Sequence, residues 1–456
     1  MINKYKNQIT IVLIGFMIYF ILGMFVTYHL NTFDTWGVMF EIDTPRVVGD
    51  LTLINYDHYR IAVHPLFIIL FQPTILLINI IIKEPIISSI LLQSIISSLS
   101  LSIFYTITKK ITTNNKISLL ITTIFGLSFP QIVYTSNIET YIFAQFFLLL
   151  LWLFAINKVN KKFKYWDYII LILLGIGSIA ITITNFFQFI FVVLFIYTFN
   201  QKNKHRIVNS IFIIITSLAF SIVLANIQNI IWPTAPNFFT KFITDFIHNT
   251  SEESAYLSRT ITLKNFMNVI NSNYAQSYNI FSLIIPNNSR GITFKSIFIT
   301  DIFSIISFII FIILNVRFLK KNKNKLSRQK IYWALLISYT FNFILHILYG
   351  NDMPFLYICH YNFIIVFIII YILNNDYDLR KINNKFICII YLITIVLFVF
   401  SLSSLTNKLF INFNIVNKIK LLPYIIIILF FTILSILINK YIIEVKNEKL
   451  FRTNKN

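Results

Sequence analysis

Thirteen apolar segments constrain this chain more than any other feature. They lie at about 9–30, 66–82, 86–108, 117–134, 138–157, 168–184, 186–200, 207–230, 298–318, 332–350, 357–374, 387–405 and 422–440. Most are long enough, as helices, to cross roughly 30 Å of hydrocarbon. The expected fold class is all-α, a multi-pass membrane protein. With 57% of residues hydrophobic and only 12% charged, an ordinary soluble domain is excluded. The first run, Ile9 to Leu30, has spanning length and no small-residue cleavage site, so it reads as a transmembrane helix rather than a secretory signal.

Charge decides how many segments cross. If all thirteen did, the basic turns at Lys109 to Lys116, Lys158 to Lys164 and Lys320 to Lys330 would face outward, against the positive-inside rule. The weakest candidate is 66–82, which follows Pro65, contains Pro73 and ends on Lys83-Glu84. Removing it places 27 of the 38 Lys and Arg inside and 12 of the 17 Asp and Glu outside. About twelve transmembrane helices follow, with both termini cytoplasmic and an interfacial or re-entrant helix over 62–84. Residues 1–456 then form a single membrane domain with a first outer loop at 31–85 and a large outer loop at 231–297. The larger loop is polar and long enough to be a lid or binding loop.

The net charge of +21 reflects these cytoplasmic turns, so no nucleic-acid role is read from it. Cys359 and Cys388 fall near opposite membrane faces, too far apart for a disulfide. No Walker loop, dinucleotide glycine motif or nucleophile elbow is present.

The first outer loop concentrates the chain's charge in FEIDTPRVVGDLTLINYDHYRIAVHPLF, residues 40–67. Glu41 and Asp43 stand just before Thr44-Pro45-Arg46, where Pro45 stiffens the preceding backbone. A carboxylate held so beside an arginine can act as a general base. Asp34, Asp50 and Asp57 read as solvated loop acids. Arg60 and His64, four apart, share a face if helical; they either meet an anionic phosphate or snorkel to headgroups, and Arg46 could share the phosphate.

Glu139, in YTSNIETYIF, opens the fourth crossing; it is either a functional acid or a carboxylate favoured by the helix dipole. Asn185 and Gln188 mark an outer turn that could line the same cavity. Another outer turn, HILYGNDMPFLYICHYNF, supplies His346, Asp352, Tyr357 and His360. Six of seven histidines (29, 58, 64, 248, 346 and 360) lie on or near the outer side, which points to a polar cavity there. No recognised metal-ligand spacing occurs, so no cofactor is expected, with a divalent metal as the secondary reading.

In this order the features resemble the membrane-embedded C-type glycosyltransferases, which include protein O-mannosyltransferases, lipid A aminoarabinose transferases and oligosaccharyltransferases. The likeness rests on "DTPR", "HPL", "SNIETY" and "FLYICHYNF" and is best over the first two hundred residues. It implies transfer of a sugar from a polyprenyl-phosphate carrier to a hydroxyl acceptor on the outer face, with inversion, in a bacterial plasma membrane. Asp43 takes the place of the family's first acid and would be the base; Thr44 stands where that family has Glu, which leaves Glu41 as a rival. His64 matches the histidine of an H-P-P-L element in which Leu66 replaces the second proline. A first-loop base works only if the loop folds over the helix mouths. Asp43 is therefore expected within roughly 10–12 Å of Glu139 and His64, near the His346–His360 turn. The alternatives are a transporter or lipid-linked glycan flippase, against which nine glycines and boundary-placed charges argue, and a catalytically inactive relative.

Overall fold

The computed structural model describes residues 2–29, 40, 42–58, 63–199, 205–240, 262–279, 282–286, 292–295, 297–349 and 354–376, with six isolated positions between 390 and 401. Glu41, Arg60, Asp34, His248, Asp352, Cys388, most of the apolar segment 387–405 and all of 422–440 lie outside the described residues, as does part of the large outer loop. Long helices dominate. The first is α1 (Ile2–Met24), followed in the first loop by the short α2 (Thr44–Thr52) and then α3 (Phe67–Ile82). Next come α4 (Pro85–Thr112), α5 (Asn115–Gly126), α6 (Phe129–Ser136), α7 (Tyr141–Lys158), α8 (Tyr165–Ile181) and α9 (Phe186–Val192). The chain continues through α10 (Arg206–Ile231), α11 (Leu263–Asn273) and a hairpin of β1 (Leu283–Pro286) and β2 (Ile292–Lys295). It then forms α12 (Phe298–Lys321), α13 (Lys330–Tyr349), a 3-10 turn over Pro354–His360 and α14 (Asn362–Asp376).

Among the described residues six helices are long and apolar enough to cross a membrane, and eight if each of two bent pairs counts as one span. Those pairs are α5 with α6, bent by 58°, and the 3-10 turn with α14, bent by 57°. The protein is thus helical and membrane-like, with one small antiparallel hairpin that pairs Leu283 with Lys295 and Pro286 with Ile292. At 16 residues, α3 is shorter than these spans, and its second half leaves Leu77, Ile80 and Ile81 exposed.

Two features hold the helices close. First, α4 is rich in serine, which lets α1 pack tightly against it. A Cβ at Gly23 would come within 2.7 Å of the Ile90 side chain. Ser94, Ser97 and Ser100 spend their hydroxyls on carbonyls one turn back, at 2.7–2.8 Å, so the helix buries them satisfied. Second, aromatic side chains fill the interior: Phe104 stacks on Phe125 at 4.0 Å, and Phe318 meets Tyr332 at 4.6 Å. By contrast α10 and α12 leave rows of isoleucine exposed, the kind of surface a bilayer covers.

The ends of the bundle differ in charge. Asn374 of α14 donates to the Ile111 carbonyl of α4, and Tyr371 of α14 lies 6.1 Å from Phe318 of α12. The turns after α4 and α12, with their lysines, therefore share one end. The turn between α7 and α8 joins them, because α4 and α7 pack side by side and run the same way. The opposite end carries Asp43, Asp50 and Glu139.

Candidate functional site

The opposite end is organised by α2. Pro45 sits in its first turn, where a missing N–H costs nothing, and Asp43 occupies the N-cap position. The Asp43 side chain does not cap the helix. Instead Asp43, Arg46 and Asp50, spaced three and four apart, line one face of α2. Arg46 Nε is 3.4 Å from Asp43 Oδ2, Nη1 is 3.2 Å from Asp50 Oδ2, and Nη2 is 3.9 Å from Glu139 Oε1. The guanidinium is buried and answers three carboxylates. Burial alone would lower its pKa, but Glu139, Asp50 and Asp43 outweigh that and raise it.

Asp50, expected to be solvated, has no exposed surface. Its second oxygen lies 3.0 Å from Nδ1 of the equally buried His58, whose Nε2 lies 3.4 Å from the Ile54 carbonyl. The chain turns back after α2 because Tyr56 closes on Gly49, where a Cβ would meet the tyrosine ring at 2.5 Å. That turn seats His58 beneath Asp50. Asp57, as expected, is exposed.

Glu139 enters from the break between α6 and α7. Gln93 of α4 fixes the break: it accepts from Glu139 N at 2.9 Å and donates to the carbonyls of Tyr134 and Asn137. Both Glu139 oxygens are occupied. Oε1 accepts from the Thr140 amide (2.7 Å) and hydroxyl (2.9 Å), and Oε2 accepts from the Asp43 amide at 3.0 Å. The carboxylate therefore holds Thr140, the residue before α7, and belongs to the charged cluster. Desolvation raises its pKa, Asp43 adds to the rise and Arg46 opposes it.

Asp43 differs from its neighbours. Its side chain is 23% exposed, and only Oδ2 is engaged, by Arg46. Among the described residues Oδ1 accepts no hydrogen bond.

His64 sits at a seam. Its Nδ1 is 2.6 Å from the Ile181 carbonyl at the end of α8, while Leu66 N donates to the Ala180 carbonyl. Gln228 of α10 completes the seam by donating to the Pro65 carbonyl and accepting from Ile69 N. Leu66 and Phe67 share one apolar cluster with Val47 and Leu51 of α2 and with Ile138 and Ile142 beside Glu139.

The outer turn after α13 packs on the other side. The His346 ring lies between Tyr357 and Tyr361, with centroids 5.1 Å away on both sides. Tyr141, two residues after Glu139, lies 5.3 Å from His360 and 5.9 Å from Tyr357, which joins this cluster to the charged one. Gln188 donates to the His360 carbonyl at 2.8 Å and accepts from Trp152 at 3.1 Å. Asn185 is buried at the start of the same short helix.

The structure thus brings Asp43, Arg46 and Glu139 into direct contact, and sets Tyr357 and His360 beside them through Tyr141, with His346 stacked on Tyr357. His64 and Gln188 serve backbone carbonyls at adjoining seams. Asp50, His58 and Gln93 were not among the expected site residues. The Arg46–Asp50 spacing was a readable signal, as was a glutamine inside an apolar span. Nothing local marked His58. Among the described residues no three His, Cys, Asp or Glu side chains are arranged to hold a metal ion. No protein-family model, curated protein or solved structure matches this chain.

Proposed function

We propose that this protein is an inverting glycosyltransferase that takes a sugar from a polyprenyl-phosphate carrier and gives it to a hydroxyl acceptor at the outer face of a bacterial plasma membrane. In this reading the chain crosses about twelve times, both termini are cytoplasmic, and the lysine-rich end of the bundle is the inner one. The observation that carries the proposal is the contrast among three neighbouring acids. Asp50 and Glu139 have both oxygens occupied, whereas Asp43 keeps Oδ1 unbonded among the described residues and reaches the surface. A saturated carboxylate braces; one with a free oxygen can take a proton.

Asp43 Oδ1 accepts the proton of the acceptor hydroxyl, and the acceptor oxygen attacks the anomeric carbon. The bond from that carbon to the phosphate oxygen breaks, and the carrier phosphate leaves with the electron pair. Arg46, turned inward onto three carboxylates, orients the base rather than meeting the phosphate. Arg60 and His64 remain the proposed cationic side of the donor site. The experiment is reconstitution of the full chain in lipid with a panel of polyprenyl-phosphate sugars and mass spectrometry of candidate acceptors. Sugar transfer that Asp43→Asn abolishes supports the reading. Substrate translocation without transfer replaces it with the transporter or flippase.

A further inference from the structure

At the lysine-rich end of the bundle, the stretch that closes α12 and leads into α13 is the most basic part of the chain. Residues 317–330 hold seven Lys or Arg, and no Asp or Glu occurs from 302 to 351. The neighbouring basic turns have partners within the fold: Lys158 Nζ lies 2.6 Å from Asp167 Oδ1, and Lys109 Nζ stands 5.9 Å from the centre of the Tyr105 ring. A segment so dense in cations, with no acid of its own, attracts anions.

On α12 this charge is laid out in two rows. Phe311, Asn315 and Phe318 turn inward, and Phe318 packs on Tyr332. On the opposite face Ile312, Val316 and Lys320 recur at every fourth residue, and Ile313, Arg317 and Lys321 form the row beside them. All six side chains are exposed, and together they line one open groove. The groove changes character along the helix. Ile312, Ile313 and Val316 make an apolar stretch, and Arg317, Lys320 and Lys321 bring three cations within about one turn of it. Ile312 to Lys320 covers about 12 Å of helix axis.

That order of chemistry selects the occupant. Three cations in one turn suit a phosphate, whose oxygens accept several charge-assisted hydrogen bonds. The apolar stretch belongs to a helix long and apolar enough to cross a membrane, where hydrocarbon covers such side chains. A soluble anion would meet the cations and leave the isoleucines uncovered. A zwitterionic headgroup would bring its own ammonium up to three cations, and the repulsion would cancel much of the gain. A phosphate joined to hydrocarbon, with a net negative headgroup, meets both halves of the groove.

We infer that the outward face of α12 is a docking site for one anionic phospholipid, its phosphate held by Arg317, Lys320 and Lys321 and an acyl chain lying along Ile312, Ile313 and Val316. The site is at the other end of the bundle from Asp43, so it stands or falls independently of sugar transfer. The test takes the full chain in dodecyl maltoside, titrates it with phosphatidylglycerol and follows the first bound lipid by native mass spectrometry. The wild type should hold phosphatidylglycerol about tenfold more tightly than phosphatidylcholine. Lys320→Gln combined with Lys321→Gln should weaken phosphatidylglycerol binding about ten- to thirtyfold, at about fivefold per cation. Each single variant should then lose about fivefold, which decides the matter if the double variant fails to fold. Lys109→Gln with Lys110→Gln, at the same end of the bundle, should change binding by about twofold at most. Glycerol phosphate, the headgroup chemistry without the chains, should not displace the lipid. Equal losses in the two double variants would mean diffuse charge rather than a site, and equal retention of the two lipids would mean hydrocarbon contact alone. Displacement by glycerol phosphate would mean a site for soluble phosphate. Any of these three results overturns the inference.

Discussion

Two polar clusters meet at Tyr141 and solve burial in opposite ways. Around Arg46, among the described residues, every charge has a partner: Asp50 is shared between Arg46 and His58, Glu139 is held by Thr140 and the Asp43 amide, and Asp43 alone keeps an unmet oxygen. Around His346 the described residues form no ion pair, and both His346 nitrogens, His360 Nε2 and the Tyr361 hydroxyl meet no hydrogen-bond partner among them. A completed ionic network resists rearrangement, because removing one member strands the others. A neutral network with unmet atoms carries the desolvation cost of each one, about 1–3 kcal/mol, instead of a pairing constraint.

The largest expected effect comes from breaking the first cluster at its centre. Arg46→Met leaves three carboxylates facing one another in a buried site and should destabilise the protein by about 3–5 kcal/mol. Thermal unfolding in detergent measures this. Adding Asp50→Asn should recover part of the loss, because one of the three stranded acids is then neutral; a double variant no more stable than the single would mean that Arg46 does not balance Asp50.

Asp43→Asn should separate activity from stability. Turnover should fall about 10²–10⁴-fold with the melting temperature nearly unchanged, since an amide keeps the shape but takes no proton. An equal loss of both would make Asp43 a brace like its neighbours.

Glu139→Gln sharpens the contrast through pH. Burial raises the folded pKa of this acid above its unfolded value, so its ionisation weighs against the folded state. Its contribution to stability is greatest below the unfolded pKa and is lost as pH rises through the folded one. The Gln variant should flatten that part of the stability–pH curve above the ordinary carboxylate range, which unfolding at a series of pH values would detect. The smallest effect is expected in the second cluster: Asn185→Leu removes a side chain whose hydrogen bonds are unmade, so ligand-free stability should stay within about 1 kcal/mol of the wild type or rise. A large loss would show that the amide is paired in the native protein.

Much of the helical architecture was legible in the sequence. Helices occupy the described apolar segments, because length and hydropathy decide helix formation locally. The three lysine-rich turns gather at one end, since an alternating path through a bundle places every second turn together. Asp43 and Arg46 could be singled out because the Thr44-Pro45 step and the three-residue spacing act within one turn of chain. Asp50 could not be read correctly. Its burial depends on His58, eight residues on and reached by a turn that Tyr56 and Gly49 close, and on Gln72 of α3, which donates to the Asp50 backbone carbonyl. The contact between Asp43 and Glu139 spans 96 residues and exists because Gln93, on a third helix, fixes the break before α7. Local chemistry is written in neighbouring residues, so the sequence alone determines where helices form and which turns between them are basic. Which acid is sealed and which is open depends on groups brought together from distant helices, and only the tertiary structure decided that.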